Sequence, residues 1–153
     1  MLLLDNHLLF GAFTNLFIAG WLALFVAALL GRTARVRKPL LLLGGRIIPL
    51  VLLAAFTLGW VATRGLPGDI FSFQGVLLTN SVPEKVLAAW FEVLGLALLV
   101  GRWMVDDSTT HEDPKALLAI GLVGTFVAAA IGLLVYLGLS RAWRRVQKVP
   151  AAP

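Results

Sequence analysis

Glu92 is the residue whose position most invites chemistry. Its neighbours are Ala89, Trp90, Phe91, Val93 and Leu94. In such a setting inside a bilayer an unpaired charge costs ~2.5 kcal/mol or more. The carboxyl therefore needs a proton, a cation or a polar cavity. It could donate a proton, hold a ligand or act as an acid–base group, and a structural hydrogen bond across a helix bundle would satisfy it equally. Arg46 and Arg102 are the candidate partners. Arg102 lies ten residues on, about 15 Å along a helix, which is too far for direct pairing. Arg46 approaches only if its helix begins near Pro39; otherwise both arginines snorkel to the interface. Trp90 offers a face for a polyene or quinone ring, or packs against lipid and helix.

The two histidines, His7 and His111, fall outside the apolar runs. His111 neighbours Asp106, Asp107, Glu112 and Asp113, which reads as a weak metal or proton site or as a solvated loop. The ligand spacing of H-E-x-x-H is absent, as are the P-loop, G-x-S-x-G and G-x-G-x-x-G. Two histidines do not make a di-iron or haem-pair site of the usual kind. Without cysteine there is no disulfide, thiolate metal site or thiol nucleophile. No cofactor and no metal are expected.

The elements that position these residues follow from composition. The chain has 153 residues, 59% hydrophobic and 14% charged, with a mean hydropathy of +0.92. A soluble domain is about half apolar and a quarter charged, so lipid must solvate the outer faces. A span needs ~20 mostly apolar residues. Four runs qualify, at residues 8–30, 39–63, 82–105 and 115–139, followed by a basic tail at 140–153. Pro39 suits a first helical turn. Ser81 and Glu84 have capping-box spacing before the third run. Asp113-Pro114 reads as an N-cap and proline start for the fourth. Residues 70–80 are apolar but too few to cross, so they read as interfacial or re-entrant. The runs are continuous and twice the length of barrel strands, which alternate in polarity over ~10 residues.

The beginning of the chain lacks a basic n-region and a cleavage pattern, and reads as a retained first span. Ala19, Ala23, Ala27 and Gly31 recur at four-residue spacing in the first run. Ala97 with Gly101 does so in the third, and Gly124, Ala128 and Gly132 in the fourth. Such small-residue ladders let helices approach closely; they are the expected contact residues between helices. With four spans, Arg64, Lys85, Arg141, Arg144, Arg145 and Lys148 share one side. Arg32, Arg35, Arg37, Lys38, Arg46, Arg102 and Lys115 share the other. A difference of one leaves orientation open under the positive-inside rule. The net charge of +5 sits mainly at span ends, where it meets headgroups rather than nucleic acid.

Gly75-Val76, Ser81-Val82-Pro83, Leu87-Ala88-Ala89-Trp90, Val100-Gly101-Arg102 and Asp106-Asp107 together resemble the abscisic-acid-deficiency-four-like family of plant and bacterial four-helix membrane proteins. Ile131-Gly132-Leu133-Leu134-Val135-Tyr136-Leu137 extends the likeness. In plants the family is tied to neoxanthin formation from violaxanthin, so the resemblance implies a carotenoid-linked role. Its pattern has a His two residues after the Trp and an Asp seven after it. Here those positions hold Glu92 and Ala97, and the proline expected before Gly132 is Ala130. If that pair carries the family's chemistry, this chain lacks it.

The expectation is an all-α integral membrane four-helix bundle with a short interfacial or re-entrant segment between its second and third helices. It forms one domain, multi-pass, in a bacterial cytoplasmic membrane. Its partners are membrane lipid, a carotenoid or isoprenoid ligand and a membrane protein. Glu92 is the candidate catalytic residue of an isomerisation, with Trp90, Arg102, Asp107 and Arg46 as ligand-binding candidates. The alternatives are a non-enzymatic membrane subunit or scaffold and a small proton-coupled transporter.

Overall fold

Apolar runs without water for their amides must satisfy the backbone locally, and helices do so. The computed structural model describes residues 6–30, 32–69 and 71–147. Among them are six helices and no strand. These are α1 (Asn6–Leu29), α2 (Arg37–Ala62), α3 (Phe73–Asn80), α4 (Pro83–His111), α5 (Lys115–Val127) and α6 (Ala129–Gln147).

α1, α2 and α4 have 24, 26 and 29 residues and are apolar enough to cross a membrane. At ~1.5 Å per residue each exceeds the ~30 Å hydrocarbon core. Their outer faces are as apolar as their inner ones. α1 buries Phe17, Trp21, Leu24 and Ala27 while exposing Leu8, Leu22 and Val26. On α2, Leu50 and Leu58 are 64% and 71% exposed. Surfaces of this kind are solvated by lipid.

α4 is the central helix, contacting every other helix. Its fully buried Leu98, Met104 and Val105 meet Trp21 and Leu24 of α1, Leu52 of α2, Leu122 of α5 and Tyr136 of α6 in one core. Small residues set the close approaches. Gly101 lies under the Trp21 ring, and Gly95 lies against Leu53 and the Pro49 carbonyl. Ala23, Ala27 and Ala97 are buried. Ala19 faces outward and Gly20 takes its place; Gly31 lies outside the described residues.

A π-helical segment, Leu43–Ile47, interrupts α2 and holds Gly44 and Gly45, both buried. The wider turn lets two consecutive residues face two neighbours. Gly44 meets the backbone of Gly20 on α1, where a Cβ would collide with the carbonyl oxygen. Gly45 meets the aliphatic stem of Arg102 on α4.

The segment over 70–80 contains a short helix rather than a span. The Asp69 carboxylate accepts from the N–H groups of Phe71 (2.8 Å) and Ser72 (2.9 Å). Ser72 Oγ caps α3 by accepting from Gly75 N–H. Those backbone donors hold the Asp69 carboxyl below its ordinary range. Phe71 and Phe73 are 92% and 80% exposed, as an interfacial segment requires. The Ser81–Glu84 capping box does not form. Val82 is the N-cap of α4 without a side-chain bond, and Ser81 Oγ donates back to the Leu78 carbonyl.

The run over 115–139, expected as a fourth span, is not one helix. It breaks at Ala128, which is extended (φ −151, ψ 94), between α5 and α6. α5 has 13 residues, ~20 Å of helix, too short to cross. α6 then runs back along α5. Gly132 meets Gly124 and Thr125, and Tyr136 meets Gly121. Arg144 reaches Asp113. The residues 140–147, expected as a tail, are the last two turns of α6. The reversal leaves few amides unpaired, because Ala128 N–H donates to Gly124 (2.8 Å) and Ala128 C=O accepts from Gly132 (2.9 Å). The spacing of Gly124, Ala128 and Gly132 therefore marks two helices and their turn, not one helical face. A Cβ on Gly132 would collide with the backbone of Thr125 and Gly124.

Candidate functional site

The hairpin gathers a polar cluster where α4 ends. Asp107 is on the last turns of α4, Asp113 follows Glu112 in its left-handed C-cap (φ 57), and Tyr136 and Arg144 come from α6. Tyr136 is fully buried, and its hydroxyl donates to Asp107 Oδ2 (2.8 Å) and toward Asp113 Oδ2 (3.3 Å). The Arg144 guanidinium donates from Nε to Asp113 Oδ1 (2.9 Å) and from Nη2 to Asp107 Oδ2 (2.6 Å) and Asp113 Oδ2. The Asp113 side chain has no exposed surface. His111 Nδ1 lies 3.2 Å from Asp107 Oδ1. Hydrogen bonds to the two carboxylates, Asp113 foremost, hold the Arg144 charge more firmly than usual. With one cation bridging two carboxylates and a phenol closing the set, the cluster ties α6 to α4.

Other contacts close the same end of the molecule. Arg37 donates to Thr109 Oγ1 (2.8 Å) and Ala27 O (3.2 Å). Lys115 donates to Leu29 O (2.5 Å) and Arg32 pairs with Glu112 (3.4 Å). At the opposite end the buried Lys85 ammonium donates to three loop carbonyls, Leu66 (3.1 Å), Pro67 (3.1 Å) and Gly68 (3.0 Å). It also lies 5.6 Å over the Trp60 ring.

The candidates named from sequence separate into four places. Asp107 is in the cluster. Arg102 makes an (i, i+4) pair with Asp106 (2.7 Å). Arg46 is exposed on α2, one residue from the Gly45–Arg102 contact. Trp90 stacks on Phe10 of α1, with ring centroids 6.3 Å apart. Glu92 is half-buried with no hydrogen-bond or ion-pair partner among the described residues. Positions i and i+2 on a helix are about 200° apart. Glu92 therefore lies by the α2-facing strip of Ala88 and Gly95, on the other flank of α4 from Trp90. The two are not brought into one site.

Trp90 and Phe10 form the wall of a groove of ≈ 830 Å³ between α1 and α4. Pro83, Val86 and Leu87 continue its apolar lining, and Asn6, His7 and Asn80 stand at its mouth. A second groove, ≈ 210 Å³, lies between Trp21, Phe25, Leu122 and Phe126. Among the described residues no three His, Cys, Asp or Glu side chains come together as a metal-holding group.

Sequence reading missed Tyr136, Asp113 and Arg144 as one unit, and Lys85 as a buried cation. The available signal was complementarity. Asp113 and Arg144 fall 15 residues before and 16 residues after Ala128, but only a hairpin reading gives that mirror meaning.

A family model described as ABA DEFICIENT 4-like matches residues 8–136, from the first turn of α1 to Tyr136. No curated protein matches the chain, and no solved structure does.

Proposed function

The chain belongs to the ABA DEFICIENT 4-like family, and from that premise we propose that it is a multi-pass membrane protein that binds a carotenoid or other isoprenoid chain in the groove between α1 and α4. The observation that carries this reading is the Phe10–Trp90 pair, which lines an apolar groove with an amide and imidazole mouth. A long apolar ligand with one oxygenated end matches that layout. Its polyene lies along Trp90 and Leu87, and its polar end meets Asn6 or Asn80. Aromatic faces favour conjugated chains, and pockets of this kind are apolar with a few polar groups that set orientation.

The proposed role is binding rather than catalysis. An isomerisation driven by Glu92 needs that carboxyl beside the ligand, and Glu92 lies on the other flank of α4. The positions where the family pattern has His and Asp hold Glu92 and Ala97. A second reading rests on Glu92 itself. About 14 Å into α4, an unpartnered carboxyl suits a contact with a partner membrane protein.

The test is purification in mild detergent, then absorbance and mass spectrometry of the extracted lipids. Wild type and Glu92→Gln should retain the same isoprenoid. Trp90→Ala should lower occupancy about fivefold, equivalent to ~1 kcal/mol of lost aromatic contact. Unchanged occupancy in Trp90→Ala would remove the groove from the argument. Loss of ligand in Glu92→Gln alone would move the site to the α2 flank.

A further inference from the structure

The helical hairpin changes which side of the membrane the charges occupy. Because α5 does not cross and α6 returns beside it, Arg141, Arg144 and Arg145 emerge where α4 ends, next to the loop between α1 and α2. That end now holds Arg32, Arg35, Arg37, Lys38, Arg46, Arg102, Lys115, Arg141, Arg144 and Arg145. Among the described residues the other end holds Arg64 and Lys85, and Lys85 is buried against carbonyls. A near-even division across four spans becomes ten against two. The positive-inside rule acts on such differences near span ends.

Between the end of α4 and the last turns of α6 lies a recess of ≈ 700 Å³ lined by His111, Arg141, Arg144, Arg145 and Gln147. Among the described residues no carboxylate lines it. Arg144 is committed to Asp107 and Asp113, whereas Arg141 and Arg145 are exposed and have no ion-pair partner among the described residues. Trp103 and Trp143, both partly exposed toward this end, suit headgroup depth.

We infer that this end faces the cytoplasm and that the arginine-lined recess binds the phosphate of an anionic phospholipid in that leaflet. Charge complementarity selects the occupant, since basic clusters beside spans are drawn to anionic lipids. The inference rests on the membrane-spanning reading above and adds sidedness and a lipid class to it.

The absence of cysteine makes the first test clean. Single variants Phe71→Cys, Thr33→Cys and Ala142→Cys are produced in a bacterial host and treated with a membrane-impermeant maleimide. Phe71→Cys should react in intact spheroplasts; the other two should react only after permeabilisation. Reaction of Thr33→Cys and Ala142→Cys from opposite sides would overturn the hairpin topology, and reaction of both in intact spheroplasts would invert the sidedness. Carbonate extraction of the untagged protein separates these failures from the underlying reading. Release into the aqueous fraction sinks the membrane reading itself, whereas retention with the wrong labelling sinks the inference alone.

The second test is melting of the detergent-purified protein with phosphatidylglycerol, phosphatidylcholine or inorganic phosphate added. Phosphatidylglycerol should raise the melting temperature by several degrees more than the others. Most of that gain should vanish in Arg141→Gln/Arg145→Gln and persist in Arg64→Gln. Equal stabilisation by both lipids, an undiminished response in the double variant, or full stabilisation by free phosphate would each overturn the headgroup assignment.

Discussion

Replacing Arg144 with methionine removes the cation that joins Asp107 to Asp113. In the intact protein Asp113, with no exposed side-chain surface, receives Arg144 Nε and Nη2, and Asp107 receives Nη2 at 2.6 Å. Afterwards, among the described residues, the Asp113 carboxylate keeps only the Tyr136 hydroxyl at 3.3 Å. Breaking a buried pair by removing one partner costs about 3–5 kcal/mol. The Arg144 side chain is 23% exposed, so water relieves part of the loss and the lower figure, about 3 kcal/mol, applies. For a chain of this size that corresponds to a fall of about 6–12 °C in Tm. Thermal unfolding followed by circular dichroism in mild detergent near neutral pH reads it directly. Adding Asp113→Asn to Arg144→Met should recover part of the loss, because the stranded charge is gone, and the cycle should show strong coupling. A Tm for Arg144→Met within about 2 °C of wild type, below the effect of ~1 kcal/mol, would refute the view that this cluster holds α6 on α4.

Gly132→Leu should open the hairpin, because its side chain has only the Thr125 and Gly124 backbone to occupy; cross-linking between cysteines placed at 121 and 136 should disappear. Lys85→Met leaves the carbonyls of Leu66, Pro67 and Gly68 without their shared donor. It should cost about 1–3 kcal/mol and make the loop after α2 susceptible to protease, whereas a fully resistant loop would show that Lys85 is dispensable there. The folded-state pKa of Asp69 is lowered, so its support of α3 is complete above the ordinary carboxylate range and is lost as pH falls through the depressed value. Protection of the Phe71, Ser72 and Gly75 amides, corrected for the intrinsic pH dependence of hydrogen exchange, should fall over that window in wild type. In Asp69→Asn it should be low and independent of pH.

Three of the long elements were legible because hydropathy alone decides them. α1, α2 and α4 expose large apolar side chains as well as burying them, and lipid makes no demand for an alternating pattern. The interfacial helix was legible for the opposite reason, since residues 70–80 are too few to cross. The break at Ala128 was not legible. Residues 115–139 are long and apolar enough for one span, and no proline stops them. The turn is written instead in steric terms, by two glycines eight residues apart that let helices meet at their backbones. The proline that the family pattern places at Ala130 would have fallen in the first turn of α6, where it is tolerated. Caps misled for a related reason. Asp113 precedes Pro114 as an N-cap should, but its carboxylate is taken by Arg144 and Tyr136, and Pro114 caps α5 without a side-chain bond. Asp107 was named through the resemblance. Arg144 was counted only as tail charge, because its partner lies 31 residues away on a helix whose direction the sequence conceals. Trp90 and Glu92 could have been separated by periodicity alone, since neighbours two apart never share a helical face.

The π-helical turn at Leu43–Ile47 makes α2 a helix with two phases. One residue more than an α-helical turn needs is accommodated there, so the Arg37 half and the Ile48 half are rotated about 100° relative to an unbroken helix. Each half is in register with its own neighbours, α1 and Thr109 for the first and the Gly95 surface of α4 for the second. Deleting either glycine would restore ordinary winding and force a choice between them. Insertions or deletions of one residue among relatives should therefore gather at this turn, where the extra residue is already absorbed, and be excluded from the uniformly wound α4.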